Sequence, residues 1–393
     1  MKILLKSKVL FDGAGTDPIQ GGCMVYEDGK ILAVDSYEEL NAMEGIGEVV
    51  DCSNQFVMPG LVDAHNHLGI SHADRWEGLS VIQQLSQSGP RKVCKAIYYL
   101  KQHLQAGETF IRDMGEDDFI DFDLKRAGEE GYFPSPRISP CGAFINSTHA
   151  HGQTGQTVSD GVEEVRKHCR VNLAMGADLV KVFGSGGVVS GEGGLGLCTS
   201  TKDELRTAVE EAQMMGKYAA AHVHGGPGID LCLDVGVRSL EHATLATDQQ
   251  IQRMADLGTW VTVTYCPMAH PDGVHDLPAD KQARLDAVKA TYLTVVKKMY
   301  DAGIHLCVGC DGVHGGVYFE AQFLEQCGLP RRRILEIITL EGARSSRWED
   351  RIGSLEPGKY ADFIALDGNP LEDLEDLCKV RKVFVGGKQV VEQ

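Results

Sequence analysis

From about residue 90 to residue 312 the chain repeats one phrase: an amphipathic stretch, then a glycine, then a short apolar or β-branched run. The glycines are Gly107, Gly131, Gly176, Gly216, Gly236, Gly258 and Gly303, each suited to the left-handed position that ends a helix. The runs after them are TFIRDMG, YFPSPRISPCG, ADLVKVFGSGG, KYAAAHVHGG, VRSLEHAT, TWVTVTYC and IHLCVGCDG. They read as parallel strands buried on both faces. Helix starts are marked by Thr201 with Glu204, a capping box, and by Asp160 with Glu163, which resembles one. With the earlier run FVMPGLVDAHNH there are eight strands alternating with helices. That count predicts an α/β chain of the (β/α)8 TIM-barrel type. A doubly wound sheet needs a topological switch and usually fewer units. Neither GxGxxG nor GxxxxGK(S/T) stands at a strand-to-helix junction.

The two ends have a different pattern, short alternating strands with turns at Asp12-Gly13, Gly21-Gly22, Asp28-Gly29, Pro357-Gly358 and Gly386-Gly387. Residues 1–55 and 353–393 are expected to pair as one small β domain beside a catalytic barrel of residues 56–352. A helix over 330–347 would join barrel to tail. The opening MKILLKSKVL, interrupted by Lys6 and Lys8, reads as an edge strand rather than a signal peptide.

The formal net charge is −18 over 393 residues. Such a chain is repelled by nucleic acid and anionic membranes, and no stretch is long and apolar enough to span a bilayer. Twelve cysteines scattered through a chain without an export signal point to a reduced, cytoplasmic protein. Cys307 and Cys310 form one CxxC with no second pair, and in a strand they face opposite sides, so no zinc knuckle is expected.

Barrel enzymes carry their chemistry at the carboxyl ends of the strands, and the unusual residues fall there. His65 and His67 end strand 1 on one face. Lys181 lies inside the apolar strand 4, where an unpaired ammonium is costly; carbamylation by CO2 removes that cost and makes a bidentate anion. His222 and His224 end strand 5, His242 ends strand 6 after Glu241, and Asp311 ends strand 8. Taken singly, a strand-end histidine is an ordinary core residue and an aspartate before glycine an ordinary turn residue. Their convergence on five strands points to a metal centre, and imidazole with carboxylate suits Zn as well as Mn, Fe or Co.

The run PGLVDAHNH, the lysine in GADLVKVFGSGG, the AHVHG and LEHA motifs, VGCDG, and the tail phrase GSLEPGKYADFIAL resemble the amidohydrolase superfamily over essentially the whole chain. Within it the chain is most similar to imidazolonepropionase-like and Xaa-Pro or Xaa-Arg dipeptidase-like members with a carboxylated lysine. The resemblance implies two divalent metal ions, zinc by preference. His65, His67 and Asp311 would bind the more buried ion, His222 and His242 the more exposed one, and a carbamate on Lys181 would bridge them. Two regions depart from the dipeptidase-like pattern. GCDGVHGG stands where those members often read GTDAG, and STHAHGQTG where they read GGHG, although Asp311 and His151-Gly152 remain.

The implied chemistry is hydrolysis of a C–N amide bond in a small polar substrate, a dipeptide or N-acyl amino acid, by a hydroxide between two metals. Asp311 would carry the proton, and His151 or His224 would polarise the carbonyl. Arg75, His151, His224 and Tyr265 are the substrate-binding candidates, with Arg75 able to clamp a carboxylate in bidentate fashion. The loops add His72, Trp76, Asn146, Thr148, His149, Gln153, His270, His275, His314 and Tyr318, and few large aliphatics, which suits a polar ligand. The loop GSGGVVSGEGGLG reads as a lid. The alternatives are ring opening of a cyclic amide and deamination of a heterocycle; deaminase members more often use one metal and lack the strand-4 lysine. A non-catalytic scaffold would be expected to lose ligands. A homo-oligomer acting on a small molecule, without nucleic acid or membrane partners, is expected.

Overall fold

Eight parallel strands follow one another around the computed structural model, which describes residues 1–74, 76–150, 158–188, 194–275 and 277–393. Barrel strands 1 to 8 are Leu61–Asn66, Glu108–Asp113, Arg137–Ser139, Leu179–Phe183, Tyr218–Val223, Ser239–His242, Trp260–Val263 and His305–Val308. Strands 1–3 form one parallel arc and strands 4–8 another. Backbone hydrogen bonds tie the arcs together. Asp178 N donates to Pro140 O (2.8 Å) between strands 3 and 4, and Asp311 N donates to His65 O (2.8 Å) between strands 8 and 1. The fold is the (β/α)8 barrel expected from the repeat.

The punctuation follows from local chemistry. All seven helix-ending glycines have positive φ, from 64° at Gly258 to 104° at Gly176. Thr201 and Glu204 form the reciprocal capping box that opens the helix Lys202–Met214. Asp160 does not cap: its carboxylate accepts from the Thr148 backbone and hydroxyl, and the next helix starts at Val162 after Gly161. The last helical stretch runs as Arg331–Glu336, a π-helical turn Ile337–Glu341, and Gly342–Ser345.

Both chain ends build one eight-stranded sheet. Its path is Lys388–Glu392, Val380–Val385, Phe363–Leu366, Ile46–Pro59, Lys2–Leu10, Gly22–Glu27 and Lys30–Ser36, with Ile19–Gln20 beside Lys2–Leu10. The opening strand is therefore interior, not an edge. Leu5 and Leu10 pack into one apolar cluster while Leu4 packs into another on the opposite face, so partners cover it on both faces. Gly60 marks the passage from sheet to barrel, where a Cβ would collide with the Thr109 side chain. Among the described residues no helix is long and apolar enough to cross a membrane. All twelve cysteines are free. Cys307 packs with Trp260 and Trp348, and Cys310 lies in the main core.

Helix Val317–Gln326, after strand 8, buries Glu320 completely. Its Oε1 accepts from the Tyr265 and Cys266 amides at 2.6 and 2.5 Å, anchoring the loop that follows strand 7. Burial pushes the Glu320 carboxyl up to about 8. The folded chain thus holds this proton more tightly than the unfolded one, where a glutamate titrates near about 4.3. The associated stability is complete below the unfolded pKa and is lost as pH rises through about 8. Urea melts between about pH 5 and pH 8 should show Glu320 contributing a fall approaching about 1.4 kcal/mol per pH unit. Glu320→Gln should flatten that slope; an unchanged slope would contradict the assignment.

Candidate active site

Strand alternation sends His65 and His67 to the same side at the end of strand 1. His65 Nδ1 lies 2.8 Å from Glu241 Oε2, and His67 Nδ1 lies 2.9 Å from the Gly115 carbonyl. Carboxylate and carbonyl oxygens only accept, so each Nδ1 carries a proton and each Nε2 is left with its lone pair. The two Nε2 atoms face Asp311 Oδ1 at 3.5 and 3.6 Å. These separations exceed those of ordinary hydrogen bonds. Tetrahedral zinc bonded to nitrogen at 2.0–2.1 Å places neighbouring ligand atoms roughly 3.4 Å apart, so this donor set fits a divalent cation. Burial pushes the His67 imidazole down to about 3, which favours the neutral form a metal requires.

A second group of imidazoles adjoins the first. His222 Nδ1 lies 2.9 Å from His242 Nε2, His242 Nδ1 lies 2.6 Å from Thr264 Oγ1, and His224 Nδ1 lies 2.9 Å from Thr244 Oγ1. Donor atoms of His222, His224 and His242 lie within 4.8 Å of one another, as do those of His65, His242 and Asp311. His242 belongs to both groups. Hydrogen bonds that orient the far ring nitrogen are the usual support of metal-binding histidines.

Lys181 points from strand 4 with 1% of its surface exposed. Its Nζ lies 5.4 Å from the Phe183 ring centroid and makes no hydrogen bond or ion pair among the described residues. Burial lowers its pKa, against the opposing pull of Glu241 and Asp311.

The backbone around these side chains is strained. His242, Ala243 and Asp311 have φ of 77°, 46° and 44°, a region that costs non-glycine residues of order 1–3 kcal/mol each. A polar clasp holds Asp311 there. Asp63 Oδ1 accepts from the His65 and Cys310 amides, both at 3.1 Å. Asn66 Oδ1 accepts from the amides of His67 (2.8 Å) and Gly312 (3.0 Å), so one side chain sets both a strand-1 and a strand-8 residue.

Below the histidines, Arg112 of strand 2 and Glu241 of strand 6 are fully buried. Arg112 Nη2 lies 3.2 Å from both Glu241 oxygens and donates to Thr262 Oγ1 at 2.9 Å. Burial alone would raise the Glu241 carboxyl, but Arg112 and then His65 hold it well below the usual carboxylate range. Sequence reasoning did not assign this pair. Its signal was there: an arginine inside TFIRDMG and a glutamate inside VRSLEHAT are as anomalous in apolar strands as Lys181.

The other expected residues fall as follows. His224 lines the cavity over the centre. Tyr265 does not: its ring stacks on Phe323 at 3.9 Å and turns toward helix Val317–Gln326. Arg75, His151, Gly152 and Gln153 lie outside the described residues, as do residues 189–193 of the glycine-rich loop. His314 is drawn into a support role, with Nδ1 2.9 Å from His103 Nε2 and Nε2 donating to Ile70 O at 2.8 Å. His72 lines the cavity beside Asp311. The expectation of few aliphatics is corrected, because Pro267, Met268, Val274 and Leu285 line that cavity.

Fold and site define a (β/α)8-barrel protein with a metal-type donor set at the carboxyl ends of its strands, the end that carries chemistry in such barrels. The chain belongs to the amidohydrolase family, whose model matches residues 56–390. Membership makes it a hydrolase acting on a small molecule, in a family that generally binds metal. An ochratoxinase from Aspergillus niger is 27% identical over 421 aligned residues, covering 98% of this chain and 86% of the relative. An imidazolonepropionase from Streptococcus sanguinis is 25% identical, covering 95% and 91%. The crystal structure of a Xaa-Pro dipeptidase with bound methionine matches with a TM-score of 0.89 at 25% identity, covering 100% of both chains.

Proposed function

We propose that the chain hydrolyses the amide C–N bond of a small substrate, a dipeptide or N-acyl amino acid, with two divalent metal ions, zinc by preference. The observation that carries this reading is the convergence of His65 Nε2 and His67 Nε2 on Asp311 Oδ1 at 3.5 and 3.6 Å. The dipeptidase among the structural relatives supports a peptide bond as the target. The imidazolonepropionase relative makes ring opening of a cyclic amide the second reading.

His65, His67 and Asp311 would hold the more buried ion, His222 and His242 the more exposed one, and a carbamate on Lys181 would bridge them. When bound, the ions supply Lewis acidity toward the carbonyl oxygen and acidify water toward neutrality. Burial favours the neutral amine of Lys181, the form whose lone pair attacks CO2; the N–C bond would form as one C–O π bond opens, the nitrogen would release a proton to solvent, and the neutral amine would become an anionic carbamate. Asp311 takes the proton of the attacking water and returns it to the leaving nitrogen. Glu241 and the Gly115 carbonyl hold His65 and His67 in one tautomer. His224, held by Thr244, would polarise the scissile carbonyl or receive a substrate carboxylate.

The test combines composition and kinetics. After loading with zinc and bicarbonate, elemental analysis should find about two ions per chain, the content of a binuclear site. Dipeptides or N-acyl amino acids should be cleaved in a panel that also holds cyclic amides. Asp311→Asn should lower turnover by at least ~10²-fold, the low end for losing a general acid/base, with a smaller loss of metal. Full activity with one ion per chain would overturn the two-metal reading, and cleavage of cyclic amides alone would favour the second.

A further inference from the structure

The cavity over the centre has a mixed lining. Imidazoles and Asp311 supply its polar groups; Pro267, Met268, Val274 and Leu285, with Val188, supply its apolar side. Among the described lining residues there is no lysine or arginine, and Asp311 is the one carboxylate. The apolar side is built to hold its shape. Leu285 (2% exposed) comes from helix Ala279–Asp301, and Met268 (6% exposed) from the short helix Cys266–Ala269. The loop between them is cross-tied: Val274 N donates to Pro267 O (2.7 Å), Gly273 N donates to His270 O (2.8 Å), and Glu320 secures its base. A Cβ at Gly273 would lie 2.7 Å from the Cys266 and Pro267 carbonyl oxygens, so the loop closes this tightly only with glycine there.

We propose that this wall selects substrates in which one residue flanking the scissile amide carries an aliphatic side chain of leucine or methionine size, an inference that rests on the amide-hydrolase reading of the same site. A preformed wall spends little binding energy on ordering itself. A charged side chain seated there would lose its hydration with no partner, whereas an aliphatic one gains by burial. The cavity is about 80 Å³, far below the roughly 300–1,000 Å³ of pockets that take drug-sized ligands. It therefore suits one side chain and not a long acyl group.

The experiment uses the metal-loaded protein and dipeptides in which first one residue and then the other is varied through leucine, glycine, aspartate and lysine. At one of the two positions leucine should exceed glycine in kcat/KM by at least ~10-fold, the lower scale of hydrophobic discrimination, and exceed aspartate and lysine by more. Val274→Asp, a half-buried loop position whose variant can be checked for an unchanged thermal melt, should lower the leucine rate and raise the lysine rate. Equal rates for leucine and the charged residues at both positions would overturn the proposal, as would no change in Val274→Asp. If no amide is cleaved, the functional reading fails by itself. Calorimetric titration with free leucine and free aspartate then decides the wall. Tighter binding of leucine, lost in Val274→Asp, supports it, and equal binding refutes it.

Discussion

Lys181→Ala is expected to abolish hydrolysis, with a loss of ~10³-fold or more, the scale on which electrostatic groups act inside water-excluded sites. Metal content should fall with it, from about two ions to one or fewer, because on the proposed reading a carbamate on Lys181 would join the two ions. The fold should survive. The Lys181 amine has no hydrogen bond or ion pair among the described residues, so its removal leaves no partner stranded and takes an unpaired polar group out of the interior. Thermal melting of the metal-free variant should thus match or exceed that of the metal-free parent. Short carboxylic acids such as acetate or propionate should restore part of both metal binding and turnover, since either can place a bidentate anion where the proposed carbamate would stand. Wild-type activity in Lys181→Ala would rule out the carbamate, and loss of activity with an undiminished pair of metals would assign the lysine a different task.

Much of this architecture was legible because a parallel barrel writes each unit in the same way. Strands buried on both faces read as unbroken apolar runs, and the glycines at 107, 176 and 258 stood where a helix must end with positive φ. The candidate ligands were legible for the opposite reason: His65, Lys181 and Asp311 are the wrong residues for apolar strand ends unless they have a task. Pairing across the barrel was not legible. Arg112 and Glu241 are 129 residues apart, and one chain read in isolation does not reveal that strands 2 and 6 face each other. The place of the opening strand is hidden in the sequence for the same reason. Its lysines suggested an exposed edge, yet strands from 46–59 and 22–27 cover it on both sides. The wall of the cavity shows a further limit. Composition counted His270 and His275 in the strand-7 loop, but His270 packs edge-on to Phe319 and His275 is exposed, while Pro267, Met268 and Val274 turn inward.

Arg112→Met is expected to be the most destabilising single substitution at the site, by about 3–5 kcal/mol, because it leaves Glu241 buried with its charge uncompensated. The guanidinium also donates to the Ala64 carbonyl at 2.5 Å and to Thr262 Oγ1 at 2.9 Å, so those acceptors lose a partner as well. Glu241 would then regain the high pKa that burial imposes, take up a proton, and cease to be the pure acceptor that fixes the His65 tautomer. Stability and metal binding should therefore fall together, unlike the outcome for Lys181→Ala. The double variant Arg112→Met/Glu241→Gln separates the two effects. Removing both charges should recover a large part of the lost stability, since a neutral pair escapes the desolvation cost. Activity should stay low, because a glutamine that offers its amide N–H to His65 no longer selects the tautomer with a free Nε2. Urea unfolding of the four proteins in the cycle, alongside elemental analysis and turnover, measures each part. A loss of under about 1 kcal/mol for Arg112→Met, within the range of ordinary surface changes and mild core changes, would mean that the remaining donors to Glu241, Ser239 Oγ at 2.6 Å and His65 Nδ1 at 2.8 Å, hold its charge without the guanidinium. Full activity in the double variant would mean that the His65 tautomer is set by something other than the buried pair.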